Sequence, residues 1–185
     1  MGTLTVFNSV TLDGYFTDAN GDLSWAHKSD PEWNDFVAGN ASGDGTLLFG
    51  RVTYEMMAGF WPTPQAKQSF PAVAEGMNRH SKVVFSRTLD KASWSNTRLV
   101  KADLSGEVSR MKQQLPAIVI LGSGTIVSQL TQAGLIDEYQ VVVNPVVLGK
   151  GRTMFEGVER KVDLQLTNER RFRNGNVVLT YRANK

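Results

Sequence analysis

The sharpest constraint on the fold is the junction Gly122-Ser123-Gly124-Thr125. A run of mostly β-branched apolar residues over 117–121 ends there, and this pattern predicts a buried strand. An apolar helical pattern begins at once over 125–133, and Gly134 supplies a helix stop. A strand that passes directly into a helix is half of a βα unit, and such units build parallel sheets. The junction therefore predicts an α/β protein.

The same strand-to-helix arrangement recurs along the chain. The apolar run 45–49 leads into Gly50-Arg51-Val52-Thr53, and the run 82–86 leads into Arg87-Thr88. Further strands are predicted at 4–12, 98–101 and 138–147, with helices from Asp30, over 54–60 and over 105–115. The chain closes with an alternating hairpin around Asn174-Gly175. Because no linker or internal repeat interrupts this pattern, residues 1–185 are predicted to form one domain.

Composition excludes several classes of protein. The 185 residues include no cysteine and only two histidines, which excludes disulfides and thiolate metal sites and argues against any metal centre. The formal net charge of +2 is too small to indicate a nucleic-acid surface. The N-terminal residues lack the pattern of a signal peptide, and no apolar run approaches 18 residues. We therefore expect a soluble cytoplasmic protein that binds neither nucleic acid nor membrane.

Glycines and hydroxyls at the junctions are the residue types that a phosphate site requires. Helix N-termini carry free N–H groups, and glycine lets the backbone approach a ligand with no Cβ in the way. Arg51 adds a guanidinium, and Thr53 and Ser123 add hydroxyls. Taken singly, each junction has a simpler interpretation as a tight turn, a helix cap beside a surface arginine, or a polar loop. Together, at one edge of a parallel sheet, they predict a site for a dinucleotide.

Four segments of the chain carry a family resemblance. They are VTLDGYFTD, GTLLFGRVTYEMM, KVVFSRTL and IVILGSGTIVSQLTQAGLIDEYQVVVNPVVLGKGRTMF. In this order and spacing the chain resembles the dihydrofolate-reductase-like superfamily, in the branch that includes the reductase domain of bacterial riboflavin biosynthesis and its stand-alone relatives. The resemblance implies a three-layer α/β fold with a mainly parallel central sheet, an antiparallel C-terminal hairpin and helices on both faces. It also implies NADPH as hydride donor, and a homodimer.

The resemblance also implies roles for individual residues. The segment from Gly50 and the glycine pair at Gly122 match the parts of the family that hold the NADPH phosphates, and Ser86 and Arg87 match the strand end near its 2′-phosphate. The loop at Asp13 matches the one beside the nicotinamide. The predicted cofactor-binding residues are Gly14, Tyr15, Gly50, Arg51, Thr53, Ser86, Arg87, Thr88, Gly122, Ser123, Gly124, Thr125 and Ile126.

The chain departs from its family at two substrate-binding segments. The riboflavin-pathway reductase has an Asp-Asn-Pro segment after the second junction, where it helps to bind a phosphorylated ribosyl substrate. Here residues 56–62 read MMAGFWP, and this apolar replacement argues against the riboflavin substrate. Dihydrofolate reductases carry an acid on the first helix to protonate a pterin, and none of Asp30, Glu32 and Asp35 matches it.

Aromatic residues near the junctions predict a slot for a flat heterocycle. Tyr15, Trp25 and Phe60 could line it over the nicotinamide, although aromatic side chains also bury simply to pack a core. Asp13 is a candidate hydrogen-bonding or proton-donating group, unless Asp13-Gly14 only forms a turn. His27 is a weaker candidate acid, since a solvent-facing histidine is the simpler interpretation.

Two functional hypotheses follow from the sequence. The first is an NADPH-dependent reductase that transfers hydride to a pterin-like or aminopyrimidine-like substrate. The alternative is a non-catalytic, dimeric nucleotide- or small-molecule-binding protein that kept the reductase fold, which the unmatched helix acid favours. A purely structural role gives no reason for three phosphate-like junctions.

Overall fold

An eight-stranded sheet forms the centre of the protein, in a computed structural model that describes residues 1–184. Its strands are β1 (Thr3–Thr11), β2 (Thr46–Gly50), β3 (Lys82–Phe85), β4 (Thr97–Val100), β5 (Ala117–Leu121), β6 (Glu138–Asn144), β7 (Leu164–Arg171) and β8 (Val177–Ala183). The helices are α1 (Pro31–Ser42), α2 (Arg51–Phe60), α3 (Pro64–Ser69), α4 (Pro71–Arg79), α5 (Leu104–Gln114) and α6 (Gly124–Gln132), with a short 3₁₀ turn at Ser24–Ala26.

The predicted mixture of parallel and antiparallel strands is confirmed. The strand order is β4-β3-β2-β5-β1-β6-β8-β7, and the neighbouring strands from β4 to β6 all run parallel. β8 pairs antiparallel with both β6 and β7, so the C-terminal hairpin forms one edge of the sheet. The carboxyl ends of the parallel strands therefore share one rim, as the sequence predicted for its three junctions.

Helices cover both faces of the sheet. On face A, α1, α2 and α4 pack against the strand residues Leu47, Phe49 and Val84, and α1 also covers Phe7 and Val142. On face B, α5 and α6 pack against Leu48, Ile118 and Ile120. Alternate residues of each central strand serve opposite faces, as the period of a β-strand requires. Within residues 1–184, no helix is both long and apolar enough to cross a membrane.

Some predicted boundaries are wrong for identifiable reasons. β6 ends at Asn144 instead of continuing to Val147. Pro145 has no N–H group for a sheet hydrogen bond, and the Val146 N–H donates to the Asn144 carbonyl in a tight turn. Helices α3 and α4 were not predicted, although each begins with a proline, the residue that favours the first helical position.

Candidate active site at the rim of the sheet

The connections of β2 and β5 diverge at the rim. These adjacent parallel strands lead into helices on opposite faces, α2 on face A and α6 on face B. A ligand-binding crevice forms in open α/β sheets where neighbouring connections diverge in this way. The two junctions that the sequence singled out therefore meet at one topological switch point.

The backbone between β5 and α6 is held in an unusual conformation. Gly122 and Ser123 both have φ of 59°, in the left-handed region. The Asn8 side chain fixes the first of them from β1, since its Oδ1 accepts from the Gly122 N–H at 2.6 Å and its Nδ2 donates to the Gly122 carbonyl at 3.0 Å. A Cβ on Gly122 would lie 2.8 Å from the Thr53 side chain, so only glycine fits here.

Two hydrogen bonds lock the two junctions to each other. The Gly50 N–H donates to Ser123 Oγ at 2.7 Å, and the Ser123 N–H donates to Thr53 Oγ1 at 3.0 Å. The Ser123 hydroxyl also donates to the Leu121 carbonyl at 3.3 Å. The Ser123 hydroxyl thus directs its O–H to the Leu121 carbonyl and accepts from Gly50, so it links the two junctions and does not donate to a ligand as the sequence predicted. The Thr53 hydroxyl has the same structural use as an acceptor.

The N-termini of α2 and α6 are left without side-chain caps. Neither Gly50 nor Ser123, their N-cap residues, makes a side-chain cap hydrogen bond within the described chain. By contrast, Asp30, Thr63 and Asp103 cap helices α1, α3 and α5. The first N–H groups of a helix need partners, and an anion is a favourable one. The two helices at the switch point thus present N–H groups of the kind that α1, α3 and α5 cover, and α4, with Phe70 as its N-cap, also lacks a side-chain cap.

The ring of Phe16 packs on Gly124 at the first turn of α6. Gly124 is buried, and a Cβ on it would lie 2.6 Å from the Phe16 ring. The sequence predicted that this glycine leaves room for a ligand, but the space is filled by protein. Phe16 and Asn8 were both missed, because no local pattern shows that a loop aromatic or a strand asparagine will meet residues more than 100 positions away.

The next two residues of α6 remain candidates for ligand contact. Thr125 is exposed at the second position of the helix, whereas the Ile126 side chain is buried in the core of face B. Ile126 can therefore contribute its backbone to the rim but not its side chain.

Arg51, at the start of α2, forms an ion pair with Glu55 at 2.8 Å, and both side chains are nearly half exposed.

The third predicted junction lies on the same rim, beside β2. Ser86 Oγ accepts hydrogen bonds from the N–H groups of Thr88 and Leu89 and so shapes the turn after β3. Arg87 and Thr88 are exposed there. The simpler interpretation, a polar loop, is correct for the Ser86 hydroxyl. Arg87 provides a solvent-exposed guanidinium next to the switch point.

Asp13 anchors the loop after β1. Its carboxylate accepts from the Thr11 hydroxyl at 2.6 Å, from the Gly149 N–H at 2.7 Å and from the Leu148 N–H at 3.2 Å. The Thr11 hydrogen bond, supported by those from Gly149 and Leu148, lowers the pKa of Asp13 below its usual 3.8. An ionised carboxylate cannot donate a proton at neutral pH. Asp13 thus anchors its own loop, and its lowered pKa argues against the predicted role as proton donor, whereas its hydrogen bonding to a substrate stays a prediction.

The rest of this loop combines a strained turn with a half-buried aromatic residue. Gly14 follows Asp13 with φ of 87°, a conformation that favours glycine. Tyr15 is partly buried, and its N–H donates to Thr11 Oγ1 at 3.0 Å. The loop that the sequence placed beside the reaction centre is thus fixed at the carboxyl end of β1.

The predicted aromatic slot is not assembled as expected. Phe60 ends α2, roughly 14 Å along that helix from its start at the rim, by the usual rise per residue. It contacts Trp61 and Phe70, at ring-centroid distances of 5.0 and 6.4 Å. Phe60 is therefore not a lining residue at the rim. Trp25 lies in the 3₁₀ turn, half-buried, and its indole N–H donates to the Asp22 carbonyl at 3.2 Å.

Metal ligation finds no support among residues 1–184. Across that range no three His, Asp or Glu side chains cluster closely enough to hold a metal ion. His27 is exposed, and the second histidine, His80, is buried with both ring nitrogens at backbone carbonyls.

The chain has the α/β fold of dihydrofolate-reductase-like proteins. Residues 2–178 match the RibD C-terminal domain family, and the chain belongs to that family. A curated relative, the uncharacterized protein YyaP of Bacillus subtilis (strain 168), is 27% identical over 179 residues, which cover 95% of this chain and 92% of YyaP.

Two solved structures show the extent of the fold similarity. A putative riboflavin biosynthesis protein from Shewanella sp. PV-4 has a TM-score of 0.75 at 20% identity, with 99% of each chain covered. A dihydrofolate reductase from Enterococcus faecalis, complexed with NADP(H), has a TM-score of 0.61 at 15% identity, with 100% of this chain and 98% of that chain covered. The reductase fold therefore extends over the whole described chain.

Proposed function

We propose that this protein is an NADPH-dependent reductase that transfers hydride to a small heterocycle of pterin-like or aminopyrimidine-like chemistry. The observation that carries the proposal is the pair of uncapped helix N-termini, α2 and α6, interlocked at the switch point of the sheet. Membership of the RibD C-terminal domain family supports it, as does the similarity to a reductase that was solved with NADP(H).

The rim has the chemistry that a pyrophosphate requires. The N–H groups at the start of α6 and of α2 would bind phosphate oxygens, and the positive ends of both helix dipoles favour negative charge there. Asn8, Thr53 and Ser123 would keep these groups in place, since their hydrogen bonds already fix the backbone. A site organised in advance costs less ordering on binding.

Two arginines account for a preference for NADPH over NADH. Arg87 is exposed beside the switch point, and Arg51 is tied only to Glu55 in an exposed ion pair. Exposed pairs of this kind contribute only about 0.2–1 kcal/mol, so a phosphate can replace Glu55 as the partner of Arg51. A 2′-phosphate near Arg51, Arg87 and Thr88 would be bound by charge-assisted hydrogen bonds.

The chain's contribution to catalysis is orientation and exclusion of water. Bound NADPH supplies the hydride from its nicotinamide ring. Tyr15 and Trp25, both half-buried, would border the substrate, and Asp13 would hold the loop of Tyr15 against the segment around Gly149. Because Asp13 is ionised, the proton that completes the reduction must come from solvent or from another group.

Titration with NADPH and NADH, followed by tryptophan fluorescence, tests the cofactor. We expect NADPH to bind at least about tenfold more tightly than NADH, and Arg87→Ala and Arg51→Ala each to weaken NADPH alone by about tenfold, the worth of one charge-assisted contact. Arg110→Ala is the matched control, since Arg110 is an exposed, ion-paired arginine on α5. Equal affinity for both nucleotides in the wild type, or an Arg110 effect of the same size, would contradict the assignment.

A second candidate is a binding protein that keeps the cofactor site but has no turnover. The anchored, ionised state of Asp13 favours it, because that residue supplies no proton. NADPH oxidation over many turnovers with any pterin, pyrimidine or imine would exclude this candidate. Binding of NADPH without oxidation across the same compounds would favour it over the reductase.

We also propose that the protein forms a homodimer through the hairpin edge of the sheet. All eight residues of β7 are exposed, and Leu164, Leu166 and Phe155 are 40, 48 and 43% exposed. Uncovered edge strands with apolar side chains are normally paired or protected. Light scattering should give twice the 20.4 kDa chain mass, and Leu166→Glu should give a monomer. A monomeric wild type would contradict this proposal.

A further inference from the structure

The same five-residue turn occurs twice in the chain, over residues 18–22 and over residues 172–176. In each turn the N–H of the first residue donates to the carbonyl of the fifth, at 3.1 Å in the first turn and at 2.9 Å in the second. The fourth residue is a glycine with positive φ, 85° at Gly21 and 90° at Gly175. Its N–H donates to the carbonyl of the first residue, at 3.2 and 3.1 Å respectively. The two turns therefore share one pattern of backbone hydrogen bonds.

The residue before the glycine is an asparagine in both turns. Asn20-Gly21 and Asn174-Gly175 are the two Asn-Gly pairs of the sequence. Such a pair is chemically reactive, because the backbone nitrogen of the glycine can attack the side-chain carbonyl carbon of the asparagine, and the glycine has no Cβ to hinder the approach. Since the backbone pattern is the same at both pairs, a difference in their reaction must come from the surroundings of the two amides.

The side-chain amide of Asn174 is held at both of its polar atoms. Its Nδ2 donates to the Lys28 carbonyl at 3.0 Å, and its Oδ1 accepts from the Asn176 N–H at 3.0 Å. The residue is also half-buried. The amide must give up both hydrogen bonds before its Cγ can reach the Gly175 nitrogen, and unpairing partly buried polar groups is costly. The fold therefore slows the reaction at Asn174.

The side-chain amide of Asn20 lacks this protection. Asn20 is exposed, and within residues 1–184 its amide has no hydrogen-bond partner. Its backbone N–H donates to Asp18 Oδ1 at 2.7 Å, a contact that holds the turn and leaves the side chain free to rotate. Only the hydrogen bond of the Gly21 N–H, which has its counterpart in the second turn, must open before Asn20 Cγ meets the Gly21 nitrogen.

We propose that Asn20 is a site of spontaneous deamidation in the folded protein, whereas the fold protects Asn174. The Gly21 nitrogen forms a bond to Asn20 Cγ, the bond from Cγ to Nδ2 breaks, and Nδ2 leaves as ammonia with the proton of the Gly21 N–H. Water then opens the resulting succinimide ring at either of its two carbonyls. The product is an aspartate or an isoaspartate at position 20, and either one adds a negative charge to the turn.

The new carboxylate lies between two existing ones, those of Asp18 and Asp22. Isoaspartate also lengthens the backbone by one carbon, at the point where Asp18 Oδ1 accepts from the N–H groups of residues 20 and 22. Asp22 in turn accepts from the Ser24 N–H and from the Trp25 indole, both at 3.2 Å. Deamidation therefore loosens the loop that carries Trp25. Its effect on the substrate, unlike the reaction itself, rests on the proposed function.

Mass spectrometry of the full chain, aged at pH 8 and 37 °C, compares the two amides. Trypsin separates them, since it releases residues 1–28 and residues 174–182, and fragment spectra locate the converted residue. We expect the rate at Asn20 to exceed the rate at Asn174 by at least about tenfold, the factor that about 1.4 kcal/mol represents. Ageing in ¹⁸O-labelled water should place one labelled oxygen in each product, because water opens the ring.

The unfolded chain is the matched control. In denaturant neither amide has fixed partners, so the two rates should agree within about twofold. Asn20→Gln should abolish the product at position 20 and leave the rate at Asn174 unchanged, because glutamine would have to close a larger ring. Since Asn20 is exposed, this variant should keep the thermal midpoint of the wild type. Hydrogen exchange at Asp22 and Ser24 should be faster in the aged protein than in fresh protein.

Each contrary result overturns the inference. Equal rates at the two amides of the folded chain, or a faster rate at Asn174, would show that the hydrogen bonds to Lys28 and Asn176 do not protect it. Reaction of Asn20 in denaturant alone would show that the turn protects this amide too. Unchanged hydrogen exchange after ageing would remove the consequence for the loop. Failure of NADPH to bind would reject the proposed reductase function separately, since none of these measurements involves the nucleotide.

Discussion

Helices α5 and α6 lie side by side on the same face of the sheet, yet only α5 has a side-chain cap at its N-terminus. The Asp103 side chain caps α5 by accepting from the Gly106 N–H at 2.7 Å, and Glu107 adds a second carboxylate nearby. At α6, the Ser123 hydroxyl accepts from the Gly50 N–H and does not cap the helix, and the first turn carries no acidic residue. One N-terminus is neutralised by the chain itself, whereas the other has neither a side-chain cap nor an acidic residue in its first turn.

The difference shows which junctions belong to the site. Both helices follow short parallel strands, so strand-to-helix connectivity alone does not distinguish them. Among residues 1–184, backbone strain and the absence of a cap coincide only at the junction of β5 with α6, where Gly122 and Ser123 both have positive φ. Strained backbone is retained where surrounding contacts hold it, and here Asn8 and Thr53 supply those contacts.

The largest expected effect comes from adding a Cβ at Gly122. Gly122→Ala should lower the free energy of unfolding by about 2–3 kcal/mol, because it combines left-handed strain with a 2.8 Å approach to Thr53. Chemical denaturation measures this change. In Gly59→Ala, which meets no atom within 4 Å, stability should instead rise by about 0.5–1 kcal/mol. Equal stability of the two variants would show that the junction is not strained.

The next effect tests whether α6 is open to anions. Thr125→Asp places a carboxylate at the second position of α6, where it should weaken NADPH binding by about tenfold through repulsion of the phosphates. Ser105→Asp places the same charge at the second position of α5 and should leave NADPH affinity unchanged. Fluorescence titration of both variants gives the comparison. An equal loss in the two would mean that the nucleotide does not contact α6.

Removing the cap of α5 should affect stability alone. Asp103→Ala should lower the free energy of unfolding by about 1 kcal/mol, the usual worth of an N-cap side chain. Ser123→Ala has no cap to lose, so its effect should appear mainly in NADPH affinity through the loosened Gly50 contact. Denaturation and titration of both variants separate the two roles. A loss of nucleotide affinity in Asp103→Ala would contradict the assignment of α5 to stability and of α6 to nucleotide binding.

The smallest expected effect concerns pH. Hydrogen bonding to Arg98, together with the charges of Arg98 and Arg110, lowers the pKa of Glu107 below its usual 4.5. The ionised carboxylate therefore contributes stability above pH 4.5, and this contribution is lost as the pH falls through the lowered value. Glu107→Gln should be less stable than wild type at pH 6 by at most about 1 kcal/mol, and the difference should shrink toward pH 3.

Denaturation curves between pH 3 and 7 measure that convergence. The Thr125→Asn variant of α6 serves as the neutral comparison, and its stability difference from wild type should not change over the same range. A constant deficit of Glu107→Gln at all pH values would mean that the ion pairs of Glu107 contribute no pH-dependent stability.

The sequence predicted the backbone arrangement around the candidate site better than the contacts of its side chains. Strand-to-helix alternation specifies parallel neighbours, so the shared rim, the switch point and the glycine at position 122 followed from local pattern. The use of the Ser123 hydroxyl and the packing of Phe16 on Gly124 did not, because they depend on contacts between residues 70 or more positions apart.

Phe60 shows a different limit of the sequence. Its position soon after a predicted phosphate junction indicated the reaction centre, but helix α2 carries it away from the rim at about 1.5 Å per residue. Sequence proximity to a motif is therefore a poor guide once a helix intervenes. The sequence singled out Asp13, and only its hydrogen bonds show that its carboxylate anchors the loop after β1 to the segment at Gly149.

The position of β1 in the sheet has a consequence for synthesis of the chain. β1 is synthesised more than 100 residues before either of its neighbours, since β5 and β6 begin only at Ala117 and Glu138. Until those residues emerge, β1 lacks both neighbouring strands, and the Asn8 side chain has no Gly122 backbone to bind. The nascent chain must therefore keep an apolar strand without its sheet neighbours over that whole interval, and the contacts between Asn8 and Gly122 can form only afterwards.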